Sequence, residues 1–283
     1  MSYFLNFRSQ SIGGGVIEPY VLEGDAAANP LALRAVDRTA IGPIVNGRHV
    51  LFAVHGFNVS YERGARSLGQ LAPQINLTAS DVFFGVLWPG DYWIPVINYP
   101  FEGEVAIDCG RRLAAFCTRW LPKAQSLSFV SHSLGARLVL EAVKNLDRPA
   151  RVVCLTAAAL EKNCLSTEYA GATANSSSVS ILASHEDLVL KVAYRIADPI
   201  SEILDDNYTP FQPALGYGGP PTPTHPPVAP PWQIPDNEDY GHGDYLPPGN
   251  TWQVNPQLPG AKWLLPARFM AQAYRGQPQK WPP

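Results

Sequence analysis

Leu127-Ser128-Phe129-Val130-Ser131-His132-Ser133-Leu134-Gly135, followed without a break by Ala136-Arg137-Leu138-Val139-Leu140-Glu141, decides how this chain is read. The first half is a short apolar run of strand character, and the second places apolar residues three and four apart, as a helix does. Between them lies the pattern small-x-Ser-x-Gly. It is the signature of a nucleophile elbow, a sharp strand-to-helix turn that holds a serine in strained geometry and exposes its Oγ above a sheet edge. The residues two before and two after such a serine must be small, because strand and helix backbones pass close together. Gly135 meets that need fully, and Ser131, where glycine is usual, meets it approximately. So short a motif arises by chance in many chains; its place between a strand and a helix separates it from an incidental serine-rich turn.

Working outward, similar β-branched or aromatic runs recur at residues 49–54, 82–88, 151–155 and 179–183, suited to strands buried on both faces. Between the runs, residues 60–71, 104–121, 136–146 and 188–196 carry helical spacing of apolar side chains. Alternating strands and helices predict an α/β fold with a mostly parallel central sheet flanked by helices on both faces. Residues 3–7 alternate and predict an edge strand, with a second near 16–22, giving the sheet an antiparallel N-terminal start. Gly13-Gly14-Gly15 reads as a flexible turn and not a phosphate cradle, since no helix or Lys-Ser/Thr follows it.

A chain of 283 residues, 46% hydrophobic, has material for one sizeable core, and a single domain over 1–283 is expected. Its 21 basic and 24 acidic residues give a formal charge of −3 without long single-sign runs, which argues against a nucleic-acid or anionic-membrane surface. No stretch has the length of apolar sequence that a membrane span needs. The start, Met1-Ser2-Tyr3-Phe4-Leu5-Asn6-Phe7-Arg8, lacks a secretory pattern and points to the cytoplasm, although a mature chain with its leader removed would look the same. Cys109, Cys117, Cys154 and Cys164 show no metal-binding spacing and read as buried thiols. A Cys154–Cys164 bridge stays open, because sequence does not supply the Cα separation that decides it. Residues 209–238 form a proline-rich insertion, with ten of the chain's 28 prolines between Pro210 and Pro235. It reads as an extended loop packed on the body through Phe211, Tyr217 and Trp232, close enough in sequence to the acid and base to wall the site.

The partners of Ser133 follow from order and elimination. In sheets carrying an elbow the acid and then the histidine come later in the chain. Of six histidines, His49, His55 and His132 come too early, His185 adjoins the candidate acid, and His225 lies in the proline-rich run. His242 remains, between two glycines that free a loop to present its imidazole, with His225 as fallback. The acid is Asp187, just past the strand at 179–183 and so at the sheet edge where ligands bind. Should Asp187 serve only as a helix cap, Glu186 inherits the role. A tetrahedral oxyanion needs two fixed N–H donors, assigned to the backbones of Leu134 and Phe57, the latter in the His55-Gly56-Phe57-Asn58 turn. Asn58 is either the cap of the next helix or a brace for that loop. Trp88, Tyr92, Trp93 and Tyr99 follow the strand at 82–88 and are candidates for an apolar substrate pocket, or else for surface packing.

Together, His55-Gly56-Phe57-Asn58-Val59-Ser60-Tyr61, Leu87-Trp88-Pro89, Ser131-His132-Ser133-Leu134-Gly135, Ser184-His185-Glu186-Asp187 and Gly241-His242-Gly243-Asp244-Tyr245 resemble a largely bacterial branch of the α/β-hydrolase superfamily without assigned function. The resemblance spans about residues 48–246. It implies the α/β-hydrolase fold and esterase-like hydrolysis of a small-molecule ester with no cofactor and no metal, and it does not specify a substrate. Thioester or amide hydrolysis by the same triad is the first alternative, and a non-catalytic binding protein that keeps the fold is the second. The proline-rich insertion departs from the family pattern.

Overall fold

The computed structural model describes residues 2–9, 15–90, 99–196, 213–249 and 261–283, with the backbone alone at 99–102 and 193–196. Among the described residues nine strands form one sheet in the order β3-β2-β1-β5-β4-β6-β7-β8-β9. They are β1 (Ser2–Arg8), β2 (Val16–Asp25), β3 (Ala32–Ala35), β4 (His49–Val54), β5 (Asp81–Leu87), β6 (Ser126–His132), β7 (Val152–Thr156), β8 (Val179–Ser184) and β9 (Trp232–Ile234). The helices are α1 (Arg38–Val45), α2 (Tyr61–Leu71), α3 (Tyr99–Trp120), α4 (Gly135–Lys144), α5 (Ala170–Ala174), α6 (Leu188–Ile196), α7 (Leu215–Gly218) and α8 (Leu264–Tyr274). Every residue of β5, β7 and β8 is buried, so helices cover both faces of the sheet, as their unbroken apolar runs require. On one side α3, α4 and α5 pack in succession; the turn that follows α2 packs against α8.

The centre of the sheet is keyed by aromatic residues in register. Phe52 of β4 lies opposite Phe84 of β5 and Phe129 of β6, and the rings stack at centroid distances of 5.6 and 5.4 Å. A slip of one residue in any of the three strands would turn its ring to the opposite face, so the row fixes the register that brings the strand ends level.

The antiparallel start is present, but β1 is not an edge. It pairs antiparallel with β2 and parallel with β5, with Phe4 opposite Gly85. A Cβ on Gly85 would lie 2.6 Å from the Phe4 ring, so the missing side chain makes room for it. Burial explains the placement, since Phe4, Leu5 and Phe7 are fully buried, which an edge strand does not need. The edge is β3, short and mostly exposed.

The proline-rich run is less extended than its composition predicts. Its described part, from residue 213 on, holds the short helix α7 and ends in β9, which adds parallel to β8 at Leu182↔Trp232 through Ser184↔Ile234. Trp232-Gln233-Ile234 is a proline-free triplet bracketed by Pro231 and Pro235, so all three of its residues keep the N–H group that a ladder needs. Trp232 and Tyr217 pack against the core; Phe211 lies outside the described residues. The helix α8 was not anticipated from sequence. It is tied to the strand bearing Asp81, whose carboxylate accepts from Tyr274 Oη at 2.7 Å and from Arg275 at 2.9 Å. All four cysteines are buried and free, so no Cys154–Cys164 bridge exists.

Candidate active site

The C-terminal ends of β4, β6, β7 and β8 meet at one edge, and the elbow stands among them. Ser133 has φ of 56°, in the left-handed region that non-glycine residues avoid, because the chain must reverse between β6 and α4 within one residue. The strain is held from both sides. The Ser133 N–H donates to the Thr156 carbonyl at 3.1 Å, and the Ser133 carbonyl accepts from Ala136 at 3.0 Å and Ala159 at 3.2 Å. Gly135 is dictated by packing: a Cβ there would lie 2.5 Å from the His55 carbonyl oxygen and 3.0 Å from Val54 Cγ1. Gly135→Ala should therefore destabilise the fold by about 1–3 kcal/mol despite alanine's better helix propensity. Thermal melting checks this; an unchanged melting temperature would contradict the close approach.

The structure brings Ser133, His242 and Asp187 together. His242 Nε2 lies 2.8 Å from Ser133 Oγ, and Nδ1 lies 2.7 Å from Asp187 Oδ2. The histidine sits on a single 3-10 turn, His242–Tyr245, and Tyr245 is buried beside it. Asp187 is fully buried and has two tasks. Its Oδ1 accepts from the Leu190 N–H at 3.0 Å, capping α6, while Oδ2 faces His242. Cap and contact to His242 are thus one side chain, and Glu186, with its N–H bonded to Ser184 Oγ, makes neither.

Phe57 follows β4 and Leu134 is the N-cap residue of α4. Among the described residues neither backbone N–H has an acceptor, and that of Leu134 lies at a helix N-terminus, where the peptide dipoles favour negative charge. The Phe57 loop is zipped to the loop after β5, with Asn58 and Val59 N–H groups donating to the Gly90 carbonyl. Buried Arg8 ties the two again, donating to the carbonyls of Val59 at 3.1 Å and Trp88 at 2.7 Å. Asn58, at φ of 58°, is a loop brace and not the helix cap; Ser60 caps α2.

Trp88 is not a pocket residue. It is fully buried, its indole N–H donates to the His55 carbonyl at 2.9 Å, and its ring stacks on His55 at 5.8 Å, so it supports the loop from beneath. Tyr92 and Trp93 lie outside the described residues, and Tyr99 opens α3. His225 is exposed in the turn that precedes Val228, and His185 is half-exposed near Asp236 at 3.5 Å; neither reaches Ser133. Among the described residues no group of three His, Cys, Asp or Glu side chains could hold a metal ion, and no helix is long and apolar enough to cross a membrane.

Sequence reasoning set aside two histidines that belong to this region. His55 is buried with Nδ1 2.8 Å from the Gly56 carbonyl, and His132 Nε2 lies 2.8 Å from the His242 carbonyl. Both precede the acid in the chain, which removed them as bases; their position beside the two key turns was the available signal. Burial pushes the His55 pKa down to about 3, so the ring stays neutral in the fold. Unfolded, the same ring takes up a proton below about 6.5, so its contribution is complete above that pH and is lost as pH falls towards 3. The slope from one such ring is at most about 1.4 kcal/mol per pH unit. Urea melts should give a lower midpoint at pH 5 than at pH 7, and His55→Asn should flatten that dependence; an unchanged slope in the variant would remove His55 as its cause.

The sheet order, the strained serine at the end of β6 and the convergence at one edge define an α/β hydrolase. The chain belongs to the family described as alpha/beta hydrolase of unknown function (DUF900), which matches residues 41–213, more than half of its length. No curated protein matches. Among solved structures, the chain is similar to phospholipase PlaB from Legionella pneumophila in complex with thio-NAD, at 14% identity and a TM-score of 0.30. That likeness covers 48% of this chain and 37% of the other, so the chain spans little more than a third of its length.

Proposed function

We propose that this chain is a serine hydrolase, built as one domain, that cleaves carboxylic esters through an acyl-enzyme intermediate. The observation carrying this reading is the hydrogen-bonded line from Ser133 Oγ through His242 to a buried Asp187, drawn from three separate elements. His242 Nε2 takes the Ser133 hydroxyl proton as Oγ bonds to the carbonyl carbon. The carbonyl π electrons move onto oxygen, and the Phe57 and Leu134 N–H groups receive the oxyanion. Collapse of the tetrahedral adduct breaks the bond to the alcohol, which leaves with the proton from His242. Water then repeats the sequence on the acyl-serine and frees the acid. Asp187 holds the imidazole with its proton on Nδ1 and offsets the positive charge the ring gains at each transfer.

The test is covalent labelling by a fluorophosphonate together with a panel of p-nitrophenyl esters of increasing chain length, thioesters and anilides. Labelling of the wild-type chain, absent in Ser133→Ala, with fastest turnover on oxygen esters is the expected result. A wild-type chain that takes no label would favour a binding protein, and faster turnover of thioesters or anilides would move the substrate class while keeping the triad.

A further inference from the structure

The candidate site holds a second imidazole to which the mechanism above gives no part. The His132 ring is part-buried beside the nucleophile, its centroid 4.8 Å from that of His242 and 5.9 Å from that of Tyr245. Its Nε2 lies 2.8 Å from the backbone carbonyl oxygen of His242. A carbonyl oxygen can only accept, so Nε2 carries the proton and Nδ1 is bare. The bare side faces Gly56, where a Cβ would lie 2.8 Å from His132 Nδ1. His132 therefore sits between the turn that leads to Phe57 and the turn that carries His242.

The segment it holds has little packing of its own around His242. A Cβ on Gly243 would meet nothing within 4 Å, and one on Gly241 only the Asp244 carboxylate at 3.7 Å. The other anchors lie to either side of the histidine. Ser184 Oγ donates to the Tyr240 carbonyl at 2.9 Å, Tyr240 Oη donates to the Lys262 carbonyl at 3.0 Å, and Asp244 Oδ2 accepts from the Gly241 N–H at 2.9 Å. Asp187 holds the far side of the His242 ring and buried Tyr245 closes its turn, but the two flanking glycines leave the main chain at His242 without side-chain packing, so a direct bond to that main chain adds a separate constraint on where the ring points.

We propose that His132 is a positioning residue for the general base: by donating from Nε2 to the His242 carbonyl, it fixes the peptide between the two glycines and aims the imidazole at Ser133 Oγ. The inference rests on the Ser133–His242–Asp187 reading and adds a fourth residue to it. The ring suits the task electrically. Burial, and then the neighbouring His242, hold its pKa far below the usual histidine range, so it adds no positive charge beside a ring that must itself become cationic. Misplacement of a catalytic group by about 1 Å can cost about 10²-fold in rate, which sets the scale of the expected effect.

The experiment compares wild type, Ser133→Ala, His132→Phe and His132→Gln. It measures the rate of fluorophosphonate inactivation, kcat and KM on the best p-nitrophenyl ester, and the low-field proton resonance of His242 Nδ1–H. His132→Phe keeps a ring without a donor, and should lower inactivation and kcat by about 10²-fold with KM nearly unchanged. His132→Gln places an amide N–H near the same point, and should recover to within about 10-fold of wild type. The low-field signal should be sharp in wild type and the Gln variant, and broadened by exchange in the Phe variant. Wild-type rates in His132→Phe, or equal losses in Phe and Gln variants with an unaltered signal, would overturn the proposal. If Ser133→Ala keeps the label, the reading of the site fails instead; if Ser133→Ala alone loses it, only the role of His132 fails.

Discussion

Ser133→Ala should lower kcat by about 10⁶-fold while leaving the melting temperature close to wild type, and His242→Ala should do the same within about tenfold. Both halves of the expectation come from the geometry. Ser133 Oγ lies 2.8 Å from His242 Nε2, so on the proposed mechanism removing either partner removes the same proton transfer. For that reason the double variant should be little slower than either single one, because groups that act as a unit are lost together. Stability should be spared because the strained turn is held by backbone bonds to Thr156, Ala136 and Ala159, none of which uses the serine hydroxyl. Turnover on a p-nitrophenyl ester and a thermal melt measure the two sides; near-wild-type turnover by either variant would remove that residue from the mechanism.

The second large effect belongs to Asp187. Asp187→Asn should lower kcat by about 10⁴-fold with almost no loss of stability, whereas Asp187→Ala should also cost about 1 kcal/mol of folding free energy. An asparagine can keep its Oδ1 on the Leu190 N–H and preserve the cap of α6. Its amide nitrogen then faces His242 Nδ1 where a carboxylate oxygen stood, and donates where the native residue accepts. The imidazole must give up its Nδ1 proton, which places a proton on Nε2 and leaves no lone pair for Ser133. Glu186→Gln, with no contact to His242, should leave kcat within about twofold, since surface changes of this kind are usually near neutral. A large loss in Glu186→Gln with a mild one in Asp187→Asn would exchange the two acids.

Much of this arrangement was legible before any coordinates. The elbow, the five parallel strand runs and the partners of Ser133 could be read because each depends on local pattern or on chain order: small residues around a serine, alternating strands and helices, an acid and then a histidine. What could not be read depends on contacts between distant segments. The place of β1 inside the sheet follows from Phe4 meeting Gly85, eighty-one positions apart. Trp88 looked like a pocket wall because aromatic side chains after a strand often are. Its indole N–H instead found the His55 carbonyl, a partner that periodicity cannot name. His132 was passed over for the same reason, since its partner is a main-chain oxygen, and main-chain oxygens leave no mark in sequence.

The way the sheet stops has a further consequence for behaviour at high concentration. Its outermost strands are only three and four residues long, and the one at the far end lies between two pyrrolidine rings that carry no amide hydrogen. A neighbouring molecule approaching either margin would find too few free main-chain groups to zip onto. Replacing Pro231 and Pro235 with valine would restore two main-chain N–H groups at that margin and should raise self-association, read as light scattering against concentration; scattering equal to wild type would contradict the protective role of the two rings.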